Sequence, residues 1–239
     1  MSDSLVATDA QVDHQYYQVA RPGTTAAHVM QRARNAIYRD FERVCPTTEA
    51  HTVLDVGVSD VIQGGDNILE RRYPWPSRLT AAGLGAGTAF RQQFPKIKYV
   101  QIVANARLPF EDKAFSVATA NAVLEHVGSP EAQRNFISEL MRVADRVFVT
   151  VPNRFFPVEH HTGIPFLAWH DRTFAFGCRL SGKDEWSDPA NLIPMSRGRL
   201  RRLLPRPDTW RIDFTGLRLG PLSSNIFAMS LGSTHFSAN

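Results

Sequence analysis

Apolar and polar positions change rhythm several times along the chain, and each change predicts an element. Between Thr24-Thr25 and Pro46, the residues Val29, Ala33, Ala36, Ile37, Phe41 and Val44 recur at helical spacing. That predicts a helix with one buried face, stopped by the proline. Short apolar runs follow at Val53–Val56, Arg78–Leu84, Tyr99–Val103, Phe115–Ala120 and Arg146–Val151, each reading as a strand. A short helix is expected over Asn67–Tyr73, cut off by Pro74 and Pro76. A longer one begins at Ser129-Pro130-Glu131, where a capping serine, a proline at the first helical position and an acid in the first turn stand together. Phe136, Ile137, Leu140 and Val143 supply its buried face. Strands alternating with helices imply a parallel sheet with right-handed crossovers.

The rhythm breaks over 152–195, which carries Pro152, Pro157, Pro165, Pro189 and Pro194 among many aromatics. That is too long for a connector and predicts an insertion or cap. Trp210–Leu219 and Asn225–Leu231 then read as two strands joined at Gly220-Pro221, hence an antiparallel pair at the sheet edge. Residues 1–23 are polar, with His14-Gln-Tyr-Tyr-Gln18 as a possible lid, Tyr16 and Tyr17 closing over a ligand. The expected whole is one α/β domain over 1–239: a Rossmann-like seven-stranded sheet, mostly parallel, with an antiparallel C-terminal pair. Residues 1–50 form a lid and helix, and 152–195 a cap.

Composition narrows the class without changing this picture. The chain has 239 residues, 43% of them hydrophobic and 21% charged, enough for one sizeable core. No apolar run approaches the roughly 18 residues of a membrane span, and Met1-Ser-Asp-Ser-Leu-Val-Ala lacks the order of a signal peptide. Cys45 and Cys178 are far apart, so a cytoplasmic protein with two free thiols is expected rather than a disulfide scaffold. The net charge of +4 is concentrated in Arg197–Arg206. One reading is a patch for phosphates or peripheral contact with an anionic membrane; the other is the solvated face of a short helix with Leu200, Leu203 and Leu204 inward.

The chemistry-bearing segments sit at strand ends. Thr52-Val-Leu-Asp-Val-Gly57 is an apolar run that meets an acid and then a glycine. A buried parallel strand looks like this when it ends at a ligand site. Asn121-Ala-Val-Leu-Glu-His126 and Val151-Pro-Asn-Arg154 fit the exits of later strands in the same sheet. With Leu108-Pro-Phe-Glu-Asp-Lys-Ala-Phe115 before the fourth strand, these segments resemble, in order, the motifs of class I S-adenosylmethionine (SAM)-dependent methyltransferases of the type 11 kind. The resemblance covers roughly residues 50 to 155.

It implies SAM as cofactor, held by Asp55, Gly57, Val58, Ser59 and Asp60 after the first strand. Leu84 and Gly85 would follow the second, Asn105 and Ala106 the third, and Asn121 the fourth. Several of these depart from the family's pattern. Val58-Ser-Asp-Val-Ile-Gln-Gly-Gly65 replaces the glycine-rich continuation, with Asp60 as a partial substitute for a polar contact. Leu84-Gly-Ala-Gly87 offers no carboxylate where the family grips the ribose hydroxyls. Losing that charge-assisted bond removes roughly 1.5–3 kcal/mol. Asn105 stands where an aspartate is common, and Ser116 replaces the aspartate of an "FD" pair.

Candidate catalytic groups are Glu125 and His126 past the fourth strand, and His160 and His161 in Pro157-Val-Glu-His-His-Thr162. A histidine over the crevice could take a proton from an acceptor hydroxyl. Some small-RNA and ubiquinone methyltransferases bind a divalent metal through Glu-x-x-Glu-His. Glu125, His126 and one of His160 or His161 could bind a metal in this way, but Ala122 occupies the first acid's place, so one ligand is missing and a divalent metal is disfavoured. Phe155, Phe156, Phe166, Trp169, Phe174, Phe176 and Trp186 are expected to build the cap's own core, an apolar acceptor pocket, or both. The expected function is methyl transfer to an O or N atom of a small-molecule, sugar or lipid-linked acceptor. The alternative is a non-catalytic protein of the same fold, acting as scaffold or regulatory partner. Nucleic acid is not expected, because the basic stretch lacks interleaved aromatics. A nicotinamide enzyme is disfavoured because no GxGxxG follows the first strand.

Overall fold

The computed structural model describes residues 24–60, 62, 66–158 and 166–232. The expected lid with Tyr16 and Tyr17, and the pair His160 and His161, lie outside the described residues.

Helix α1 (Thr25–Val44) starts where the Thr24 hydroxyl accepts from the Ala27 amide at 3.2 Å. It ends at Cys45, whose following proline disfavours helical backbone. Ala33, Ile37, Tyr38 and Phe41 are buried, but Val29, expected on the inner face, is 44% exposed. The sheet comprises β1 (Val53–Val56), β2 (Leu79–Gly83), β3 (Lys98–Gln101), β4 (Phe115–Asn121), β5 (Ala144–Pro152), β6 (Trp210–Leu219) and β7 (Leu222–Ser230). Its order is β3-β2-β1-β4-β5-β7-β6. The first five strands run parallel; β7 is antiparallel to both β5 and β6. This is the mostly parallel seven-stranded sheet with an antiparallel C-terminal pair that the pattern predicts. All four residues of β1 are buried, as a central parallel strand requires.

The helices cover both faces. α1, α2 (Ile68–Arg72) and α3 (Thr88–Gln93) enclose a core of Ile37, Phe41, Leu69, Leu79, Phe90, Phe148 and Phe227. On the other face, α4 (Pro130–Val143) and a later helix, α6 (Arg197–Leu203), enclose Leu54, Ile137, Leu140, Leu200, Leu203 and Leu204. α4 begins as its sequence foretells: the Ser129 hydroxyl accepts from the Ala132 amide, and Pro130 occupies the first turn. α3 was not foreseen; its six residues carry one buried apolar side chain, Phe90, too little for a period.

Between β5 and α6 the chain builds a small core of its own. Helix α5 (Asp171–Leu180) contributes Phe174 and Cys178, packed with Ala168, Trp186 and Leu192. Of the aromatics expected there, Phe174 and Trp186 are buried, while Phe155, Phe166 and Phe176 are exposed. The basic stretch forms α6 with its three leucines inward. Arg199 pairs with Asp171 and Arg201 with Asp208, and Arg197 donates to the Ile212 carbonyl. Most of its charge is therefore engaged within the fold.

Candidate active site

The strand order reverses between β1 and β4, since β2 and β3 lie to one side and β5 to the other. Parallel sheets bind ligands beyond the carboxyl ends of their strands at such a reversal. A cavity of about 650 Å³ opens there. Its floor is Asp55, Gly57, Val58 and Ser59 from the β1 exit and Thr119, Asn121, Ala122, Glu125 and His126 from the β4 exit. Val29, Ile37, Tyr38 and Phe41 of α1 form one wall, and Phe156, Val158 and Leu217 close the far side.

Gly57 is required by the crossing. Its φ is +95°, and a Cβ there would sit 2.3 Å from a Val123 methyl. Only glycine lets β1 turn this tightly against the β4 exit. Ser59 is held by Asn67, whose side-chain oxygen accepts from the Ser59 amide at 3.0 Å and whose amide donates to the Ser59 carbonyl at 2.7 Å. Asp60 points elsewhere: it accepts from the Phe90 amide at 2.6 Å and so caps α3. Its carboxylate is engaged by the fold at the position where a substitute ligand contact was expected.

Asp55 is buried and accepts from the Thr119 hydroxyl at 2.6 Å. Burial pushes its carboxyl up to about 6, against the pull of that hydrogen bond. Beside it lies Glu70 of α2, also buried. Burial first, and then the Asp55 charge, raise Glu70 well above the usual carboxylate range. Two adjacent buried carboxylates do not readily ionise together, so Glu70, whose carboxyl oxygens have no hydrogen-bond partner among the described residues, keeps its proton beside Asp55. Glu70 was missed in the sequence. Its one signal is an acid following Ile68 and Leu69 in a helix too short to define a face.

Glu125 and His126 lie in a single tight turn, Leu124–His126. Glu125 is 1% exposed, and neither of its carboxyl oxygens has a hydrogen-bond partner among the described residues. Burial pushes it up to about 8, so at neutral pH it is predominantly the neutral acid. The His126 Nδ1 lies 2.8 Å from the Asn191 carbonyl, and its ring meets Trp186 edge-on. A carbonyl only accepts, so Nδ1 carries the proton and Nε2 is the basic nitrogen of the neutral ring. Asn121 faces the cavity and accepts from the Thr150 hydroxyl.

The remaining expected cofactor residues are not part of this cavity. The Tyr99 hydroxyl donates to the Gly85 carbonyl at 2.7 Å, and Gln101 donates to the Leu84 carbonyl at 3.0 Å. A Cβ on Gly83 or Gly87 would collide with Tyr99, at 2.6 and 2.4 Å. The β2 exit is thus folded down onto a β3 side chain. Asn105 and Ala106 are exposed on a turn at the β3 exit, with Asn105 at φ +58°. Among the described residues no three His, Cys, Asp or Glu side chains stand together as a metal site.

The sheet order, the reversed last strand and a cavity at the β1–β4 reversal define the class I methyltransferase fold. The sequence agrees over its central part: residues 79–146, from β2 to the start of β5, match the family described as "Methyltransferase domain". A SAM-dependent methyltransferase from Methanosarcina mazei superimposes with a TM-score of 0.51 at 15% identity, covering 81% of this chain and 94% of that one. The structure of the Haloferax volcanii Trm112 methyltransferase activator with its methyltransferase gives 0.56 at 10% identity, over 89% and 95%. PigF, solved with S-adenosylhomocysteine (SAH), gives 0.54 at 16% identity, over 84% of this chain and 55% of that one. Likeness at these identities establishes the fold. No curated protein sequence matches the chain.

Proposed function

We propose that the chain is a SAM-dependent methyltransferase acting on an O or N atom of an acceptor held in the β1–β4 cavity. The observation that carries this reading is that the cavity stands at the strand reversal and gathers buried carboxyls and an imidazole under apolar walls. The residues fit the methionine end of the cofactor: Gly57 lines the cavity with backbone alone, and Asp55, Val58, Ser59 and Asn121 line it beside Gly57. They fit the adenosine end less well, because Leu84 and Gly85 are folded onto Tyr99. Bound SAM supplies a methyl group on a sulfonium, so the protein's task is to orient the acceptor and manage its proton.

In this reading Glu125, neutral at pH 7, donates a hydrogen bond that orients the acceptor heteroatom. His126 takes the acceptor's proton on Nε2 while Asn191 holds Nδ1–H. The apolar walls exclude water and fit an acceptor with an apolar body: a small molecule, or a sugar or lipid-linked precursor. His160 and His161 remain candidate bases. Cytoplasmic location belongs to the same reading, supported by two buried free thiols, Cys45 and Cys178.

The second reading, a non-catalytic scaffold of the same fold, is favoured by the β2 exit and by the engagement of Asp60 with α3. Calorimetry with SAM and SAH decides between them. The enzyme binds both, more weakly than a protein with a ribose carboxylate by about ten- to a hundredfold. A folded protein that gives no heat at high micromolar ligand is the scaffold. If SAM binds, His126→Asn lowers turnover and spares SAH binding. Unchanged turnover there, with a loss in His160→Ala or His161→Ala, moves the base to the insertion.

A further inference from the structure

Helix α5 is apolar on two opposite faces. Phe174 and Cys178, four apart, are buried in the insertion's core, whereas Phe176 and Leu180, also four apart, are 68% and 80% exposed. A surface helix with a single partner shows one apolar stripe. The outward stripe continues beyond the helix. Gly177 lets the 166–169 turn lie directly against α5, where a Cβ would sit 2.2 Å from a Leu167 methyl. That turn presents Phe166 and Trp169, with ring centroids 5.1 Å apart, and Phe155 lies 6.5 Å from Trp169. All three are exposed. The result is an aromatic and aliphatic crest made of Phe155, Phe166, Trp169, Phe176 and Leu180. Two exposed apolar groups, joined where Leu167 of the turn packs at Gly177 beside Phe176, mark an interaction surface.

The charges on the crest select what covers it. Arg172 stands one turn before Phe176 and Arg179 one turn after, both exposed and neither in an ion pair among the described residues. Among the described acids of the insertion, Asp171 and Asp188 are engaged within the fold. Asp171 is held by Arg154 and Arg199, Asp188 accepts from the Ala190 amide, and Asp184 follows the turn at Gly182. A two-fold contact with a second copy would bring the same arginines face to face. An anionic bilayer offers the opposite: hydrocarbon for Phe176 and Leu180, an interfacial layer for Trp169, and phosphates for the arginines.

We propose that this crest docks the protein on an anionic membrane surface. Phe155 belongs to the crest and Phe156, the next residue, to the cavity wall, and the Ala168 carbonyl accepts from Arg154 at 2.7 Å. Docking itself stands independently of methyl transfer.

Sedimentation of the full chain with vesicles tests it. Vesicles of phosphatidylcholine and phosphatidylglycerol in equal parts retain the protein at low salt, and phosphatidylcholine alone retains much less. Added salt releases it. The double variant Phe176→Ser/Leu180→Ser lowers binding to the mixed vesicles about tenfold, and Arg172→Glu/Arg179→Glu about tenfold. Because these side chains are exposed, neither variant changes the melting temperature or the SAH affinity. No retention on the mixed vesicles overturns the proposal, as does equal retention of the variants. A wild-type dimer that Phe176→Ser/Leu180→Ser converts to monomer, with no lipid binding, overturns it in favour of a contact between copies.

Discussion

Two neighbouring halves of one sheet edge have been finished in different ways. At the exits of β1 and β4, Gly57 turns the chain aside and leaves a cavity, with Asp55 and Glu125 buried at its floor. At the exits of β2 and β3, one strand away, Tyr99 fills the space under Gly83 and Gly87 and bonds the Gly85 carbonyl. The same backbone pattern, parallel strands ending in glycines, gives an open site in one place and a closed one in the other. The glycines at 83 and 87 answer a tyrosine of the protein itself and Gly57 answers Val123, but only Gly57 also lines the crevice. A glycine at a strand exit therefore says that something approaches closely, and its neighbours decide whether that is a ligand.

The largest effect should come from the carboxyl on the open side. Glu125 has a folded pKa of about 8 against an ordinary value near 4.5. Its neutral form is the one the fold accepts. That stability is complete below the unfolded pKa and is lost as pH rises through about 8. Glu125→Gln should then lose less stability than the wild type between pH 5 and 9, by up to about 4 kcal/mol in urea unfolding. Asp55 and Glu70 titrate in both proteins, so the difference between the two curves reports Glu125. Parallel curves would show that its charge is accommodated and that the two halves differ in shape alone.

Next come the glycines. Gly57→Ala places a Cβ against Val123 at φ +95° and should cost about 3 kcal/mol. Gly87→Ala, at φ +69° against the Tyr99 ring, should destabilise to a similar degree. The two should part in ligand binding. At a temperature where both are folded, calorimetry should find SAH binding weakened in Gly57→Ala and near the wild-type value in Gly87→Ala. Equal losses would mean that both halves hold the cofactor.

The smallest effect is Tyr99→Phe, which removes the bond to the Gly85 carbonyl. It should cost about 1 kcal/mol in thermal unfolding and leave SAH affinity within about twofold. A larger fall in affinity would make the Tyr99 hydroxyl a ligand contact and open the closed half.

Much of the framework was legible. β1 and β6 fall on the expected residues and the other strands within a few positions: buried parallel strands are short apolar runs with sharp ends, and β6 is bounded by Gly220. The cap of α4 and the inward leucines of α6 also follow from local spacing. Val29, α3 and the outward face of α5 were not legible. Val29 lies on the apolar stripe of α1 but faces a cavity instead of the core. Phe176 has the same residue type and neighbourhood as Phe174, and only the packing of α5 tells which is inside. Asp60 looked available for a ligand, since sequence spacing gives no view of the Phe90 amide that it caps.

The sequence by itself determined the alternation of strands and helices, the reversed final pair and the place of Asp55, Gly57, Asn121, Glu125 and His126 at strand exits. Periodicity and turn chemistry act over a few residues and are written locally. The tertiary structure alone decided which exits are open and which carboxyls are paired. Asp55 accepts from Thr119 across the fold and lies beside Glu70, Glu125 meets no hydrogen-bond partner among the described residues, and Tyr99 reaches back to Gly85. Those outcomes depend on contacts between residues distant along the chain and on the loss of water around them, and so arise only when the sheet has closed.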